Sequence, residues 1–360
     1  MSNRTNDQVS RNLPLVCAIV AVTTVGIGQL GAQPMPEGNQ TPLFLTATNG
    51  DSNYLAVINS RTKQVSYVAT GGKGGASGNA GGIAVDGDLA AVVNFGSSNV
   101  AIFNRKGNTM HLLRMITTAS QPLSVAFGRG HLVVLGLTTA ESFPMFGRMV
   151  SSSSDGMAHL LKGDGSAAQI VIYDGGAVFS EKSGAVGLLT FGIPGLTGTS
   201  LPLTIPAAPN NDTPFGMVAR GANVYITIAH SNLEALVRDG KIVSMAAGVT
   251  PYKDQSGAFL HAPCWNTLSG QFLFSADSPA KQIARYLVSD SNIFFDNPSV
   301  AKLSGSPTDL DAKGQLLGVI DGGDGMTSNA SLFDIDSEGE LTLRFAVKVP
   351  GPINGAAIIQ

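Results

Sequence analysis

The chain has 360 residues, with 44 glycines, 43% hydrophobic residues, only 13% charged residues and a formal net charge of −3. That length holds two average domains or one large all-β or barrel domain, and the apolar, glycine-rich balance excludes a disordered chain. A slightly negative charge with no long basic run excludes a nucleic-acid-binding surface.

The first segment is a targeting sequence by pattern. Arg4 and Arg11 precede the apolar run LPLVCAIVAVTTVGIGQLGA at residues 13–32, and a polar, proline-containing stretch follows. A short basic region, an apolar core and the small residues Gly31 and Ala32 match a secretory signal. The expected organisation is a signal peptide over residues 1–32, a linker over 33–42, and a secreted or periplasmic domain over 43–360 with no membrane span after cleavage. An uncleaved anchor is the competing reading, because about 20 residues can cross a bilayer; Thr23, Thr24, Gly26, Gly28 and Gln29 thin out its second half. Beyond that segment Cys264 is the only cysteine, so the domain forms no intrachain disulfide and relies on its hydrophobic core.

From residue 43 onward the chain repeats. LTATNGDSNYLAVINSR (residues 45–61) and LAAVVNFGSSNVAIFNR (residues 89–105) share one design. Each has an apolar strand, an asparagine (Asn49 or Asn94), a Gly/Ser turn and a second apolar strand ending in Asn59 or Asn104. Weaker copies, HLVVLG, AVFSEK, NVYITIAH, QFLFSAD and QLLGVID, end near Gly136, Glu181, Ala229, Asp277 and Asp321. The unit recurs roughly every 45 residues, the length of a four-stranded propeller blade, and seven units fill the chain. No long amphipathic segment of helical period supports a helical solenoid. The fold class is therefore all-β, a seven-bladed β-propeller of four-stranded blades. One blade reads GGIAVDGD, LAAVVNF, NVAIFNR and HLLRMITT for its inner, second, third and outer strands. The first unit lacks an inner strand, and the terminal INGAAIIQ resembles one, so residues 353–360 are expected to close the ring on the first blade.

Several stretches resemble the lactonase-like seven-bladed propellers, a family that includes phosphogluconolactonase and carboxymuconate-cyclase relatives. They are VATGGKGGASGNAGGIAVDGDLAAVVNFGSSNVAIF, TPFGM, APCW before GQFLFSADS, GSPTDLDAKGQLLGVIDGGDG, and FSEKSGAVGLLTFGI, where Glu-Lys follows the second strand. The resemblance covers most of residues 43–360, with an irregular third blade. It implies lactone opening or closing by histidine, glutamate and arginine at the central opening of one face. Where catalytic members carry a His-rich signature, this chain reads GSAAQIVIYDGG with no histidine. That departure favours a non-catalytic binding or interaction propeller over a lactone hydrolase.

Alternating strand direction puts the blade-to-blade connections and the second-to-third-strand turns on one face. In a lactonase, Glu181 or His230 would be the base that activates water, and Lys182, His261 or loop N–H groups would stabilise the oxyanion. Asn49, Asn94, Asp277, Asp309 and Asp321 are candidate ligand-binding groups on the same face. The segment DGGDG (residues 321–325), with Asp277 and Asp309, could offer oxygens to a hard cation such as calcium. It lacks a full ligand series, and no cofactor or zinc site is expected. The expected partner is a small-molecule or protein ligand on this face of a monomer. TGGKGGASGN (residues 70–79) lacks the GxxxxGK(S/T) order that sets a phosphate loop before a helix, because a strand comes next. Its glycines are expected to turn the backbone close to the central opening, with Lys73 available to an anionic ligand.

Overall fold

The computed structural model describes residues 40–203, 213–323 and 326–360. The signal peptide and linker residues 33–39 lie outside the described residues. The domain consists of seven antiparallel sheets, and each inner strand packs beside the inner strand of the next sheet around a closed ring. Numbered from the first blade, the inner strands are Asn354–Ile359, Ile83–Asp86, Pro122–Gly128, Ala167–Tyr173, Pro214–Arg220, Pro263–Ser269 and Ser306–Lys313. The expected seven-bladed propeller is the observed fold.

Strand burial explains the sequence pattern. The second strands Leu43–Ala47, Leu89–Asn94 and Phe272–Asp277 are buried at every residue. Both faces of such a strand meet a neighbouring blade, so the run is continuously apolar instead of alternating. Outer strands such as Val65–Ala69 and Thr109–Thr117 carry mostly exposed or half-buried positions. The third blade is the irregular one: Thr139–Phe146 pairs both with Gly156–His159 and with a fifth, short strand, Met149–Val150. Asp155, in the connection between those two short strands, accepts from Ser142 Oγ at 2.7 Å and binds His131 Nε2 at 2.9 Å.

The ring closes as the sequence predicts. Asn354–Ile359 pairs antiparallel with Leu43–Ala47, with Leu43 opposite Ile359 and Ala47 opposite Asn354. Arg105, buried at the rim of the second blade, clamps this seam. Its guanidinium donates to the carbonyls of Ile359 (3.1 Å) and Thr41 (2.5 Å), and its Nε donates to Gly107. One side chain therefore holds both ends of the closing sheet. Arg105→Ala is expected to cost about 2–4 kcal/mol, because it leaves carbonyls at the seam without a donor. Urea unfolding checks this; an unchanged midpoint would show that the seam holds without the clamp.

Candidate functional site

The structure gives the predicted face a repeated device. Glu181 and Asp277 end their second strands opposite the first residue of the inner strand, Ala167 and Pro263, and Asp321 stands one residue before the end of its own, opposite Pro307. There an acceptor side chain meets the connection arriving from the previous blade. Glu181, with no exposed surface, accepts the backbone N–H of Gly163 at 2.8 Å and of Lys162 at 3.1 Å. Asp277 takes the Ala262 N–H at 3.0 Å. Asp321 takes the Gly305 N–H and the Asn329 amide, the latter at 2.6 Å. Asn94 accepts from Thr70 Oγ1 at 2.7 Å and from Asn53 Nδ2 at 2.9 Å. These four candidates thus stand at or near the ends of second strands in four separate blades and hold loops.

The glycine-rich connection lies across the axis. Asn49 Oδ1 accepts the N–H groups of Gly75 (2.7 Å) and Ala76 (3.0 Å), which pins its first half. A Cβ on Gly74 would stand 2.3 Å from the Asn49 backbone, so only glycine fits there. Past Gly78, whose φ is +59°, the chain bonds to five other blades. Asn79 donates to the Leu123 carbonyl and exchanges hydrogen bonds with Asn354, and its own carbonyl accepts from Trp265 Nε1 at 2.9 Å. The Ala80 N–H bonds Ala168 O at 3.1 Å, and the Gly81 N–H bonds Asp309 Oδ2 at 3.1 Å. Lys182 Nζ donates to the Gly78 carbonyl and lies 5.7 Å from the Phe215 ring centre. Burial lowers the Lys182 pKa, and the Asp164 charge opposes that shift. The loop is a plug over the central opening; Lys73 stands exposed on it, with its N–H bonded to Ser97 Oγ at 2.7 Å.

The two candidate histidines stand at the fifth and sixth blades, His230 just after the second strand of the fifth and His261 just before the inner strand of the sixth. His230 is half-buried, bonded through Nδ1 to Thr213 Oγ1 at 2.7 Å and stacked 4.6 Å from the ring of Phe259. His261 binds Asp277 Oδ2 through Nδ1 at 2.5 Å. Burial and the charges of Asp277 and Glu234 push the neighbouring Cys264 thiol up to about 12, far from a reactive thiolate. Among the described residues no three His, Cys, Asp or Glu side chains gather to hold a metal ion, and Asp324 of the DGGDG segment lies outside them.

Beneath the plug runs an axial cavity of about 310 Å³, lined by residues of all seven inner strands and by Gly81. Asp309, Asp311, Lys313, Gln169 and Thr267 are among its polar lining residues. Asp309 was legible as a candidate; Asp311 was not, although TDLDA places two acids on one face of a strand. Burial raises Asp309 to about 7 and Asp311 to about 6, against several backbone N–H donors that pull the other way. Another buried acid, Glu234, was also missed, because a glutamate within a strand reads as solvent-facing. It lies between the fifth and sixth blades, accepting from Ser275 Oγ at 2.6 Å and from Asn266 Nδ2 at 3.0 Å.

Seven blades closed around this channel define the class: a β-propeller whose fold is that of the lactonase-like proteins. A Lactobacillus plantarum protein matches with a TM-score of 0.67 at 16% identity, covering 89% of this chain and 100% of that one. The periplasmic gluconolactonase of Pseudomonas aeruginosa matches at 0.67 and 14%, covering 89% and 99%. A putative 6-phosphogluconolactonase from Bacteroides fragilis matches at 0.62 and 14%, covering 91% and 100%. At such identities the likeness establishes the fold. No family model and no curated protein sequence matches the chain.

Burial raises the Glu234 pKa from 4.5 to about 7. The folded chain therefore binds this proton more tightly than the unfolded chain does. The resulting stability is fully present below the unfolded value and is lost as pH rises through the folded one. Glu234→Gln is expected to flatten the fall in unfolding free energy between about pH 5 and 8, and to exceed the parent at pH 8 by on the order of 1–2 kcal/mol. Asn266 Oδ1, which has no hydrogen-bond partner, can accept from the introduced amide after rotation of its own. Urea titrations across that range measure the effect; a variant with the parent's slope would show that Glu234 is ionised throughout.

Proposed function

We propose that this protein is an exported lactonase-like propeller that binds a ligand and does not open lactone rings. The observation that carries the reading is the fate of Glu181. Both of its carboxylate oxygens accept backbone N–H groups, and none of its surface reaches solvent. A general base must reach the proton it removes, directly or through one water. The plug over the opening supports the same reading, and no histidine, glutamate or arginine is among the described residues lining the channel. Export rests on the N-terminal pattern, on a periplasmic protein among the fold neighbours, and on the absence among the described residues of any helix long and apolar enough to cross a membrane.

One observation favours lactone hydrolysis as a second reading. Asp277 orients the His261 ring through Nδ1, and no described residue bonds its Nε2. An imidazole so held can activate water, and this pair replaces Glu181 as the best base available. A panel of five- and six-membered lactones, followed by proton release, separates the two readings. The expected rate equals the buffer background for the parent chain, Glu181→Ala and His261→Ala alike. Turnover by the parent that His261→Ala abolishes would establish the second reading instead.

A further inference from the structure

The second observation on this face is negative: the plug and the loop-holding acids leave the predicted opening covered. The cavity beneath it is graded. Ile83, Val125, Ile170 and Met217, at the plug end, are 1–4% exposed, whereas Val85, Phe127, Ile172 and Ala219, two residues further along the same strands, are half-buried. The channel is therefore blind at the plug and open on the opposite face. We infer that the axial channel is this protein's ligand site, entered from the face opposite the glycine-rich connection, and that it takes a small organic ammonium ion on a slender apolar body. This rests on the non-catalytic binding reading and names the ligand class for it.

The chemistry of the wall selects the ligand. About 310 Å³ is at the lower end of small-molecule pockets. Phe127, Ile172 and Val85 at the mouth offer apolar surface to a hydrocarbon body. Deeper in, Asp309 accepts N–H groups from Gly81 (3.1 Å) and Leu310 (2.9 Å), and Asp311 accepts from Ile358 at 2.7 Å. The backbone N–H groups of Ala356 and Ala312 also reach Asp309 and Asp311. Among the described residues no side-chain donor reaches either carboxylate, and a carboxylate can accept about four hydrogen bonds, so both keep accepting capacity, Asp311 more than Asp309. Lys313 is the one cationic residue among the described lining and stands exposed at the mouth. Asn266, also lining the channel and 6% exposed, carries an Oδ1 with no partner.

Asp309, 5% exposed, and the half-buried Asp311 carry two negative charges against the single positive charge of Lys313, which lies within electrostatic reach of Asp311, so the lining repels anionic ligands. The two acids also fall short of a hard divalent ion, which needs about six to eight oxygen ligands. An ammonium needs one oxygen per N–H, and a charge-assisted bond to a carboxylate is about twice as strong as a neutral one. Burial disfavours the ionised form of Asp309 and Asp311 in the empty channel, and a bound cation would favour it.

The test compares hexylammonium with 1-hexanol on the full chain by calorimetry at pH 8, above the raised values of both Asp309 and Asp311; Lys313 is the other charged group of the described lining. The amine is expected to bind at least about tenfold more tightly than the alcohol. Asp311→Asn should remove most of that difference and leave the alcohol unchanged. Lys313→Glu, at an exposed position that threatens no folding, should tighten the amine by about threefold. Equal affinities for amine and alcohol, or an amine affinity indifferent to Lys313→Glu, would overturn the proposal. Lactone turnover run on the same samples keeps the two readings apart. Turnover beside selective amine binding sinks only the non-catalytic reading, and no turnover beside unselective binding sinks only the channel site.

Discussion

Each inner strand of this propeller is paired along one edge only, and its other edge faces the axis. Those N–H groups are buried too deeply to rely on bulk water, and each would cost about 1–3 kcal/mol if left unmade. At four junctions a side chain from one blade answers a backbone N–H of the next. Ser124 accepts from Ile170, Gln169 from Met217, Thr267 from Ala312 and Asp311 from Ile358. At another, the Gly81 carbonyl accepts from Val125. The polar residues at the axis are thus required by closure of the ring before any ligand is considered.

The same requirement governs the two faces differently. On the plugged face, long connections must turn from an outer strand back to the axis, and their backbone groups need acceptors. Glu181, Asp277 and Asp321 provide these from near the end of the second strand, while Asn94 accepts from the Thr70 and Asn53 side chains. Acid–base residue types collected on this face look catalytic in one dimension, and in three Glu181, Asp277 and Asp321 also hold backbone groups of the loops. On the other face, the turns out of the inner strands are tight hairpins, as at Asp86–Leu89 and Gly128–His131. Short turns join the inner and second strands there, on the side where Val85, Phe127 and Ile172 are half-buried.

Much of the fold was legible because it depends on local pattern. Continuous apolar runs punctuated by Gly, Asn and Asp marked the second strands, and the resemblance of the final segment to an inner strand located the ring closure. Even the glycine-rich connection was readable as a close approach to the axis, since a strand and not a helix follows it. The roles of Glu181 and His261 were not legible. Whether a carboxylate holds a loop or faces water depends on which blade's connection passes above it, and no spacing along the chain encodes that.

Sequence alone therefore determined the repeat, its length, the number of blades and the strand that closes them. Each of these is set by hydrophobic periodicity and turn chemistry within about 45 residues. Tertiary structure alone decided which end of the channel is shut, which acids are used up by backbone N–H groups and which keep accepting capacity. Those outcomes need residues far apart in the chain to meet at one axis: Asn79 with Asn354, Gly81 with Asp309, and Trp265 with Asn79. Burial and hydrogen-bond satisfaction belong to the closed ring as a whole, and they have no value until all seven blades are in place.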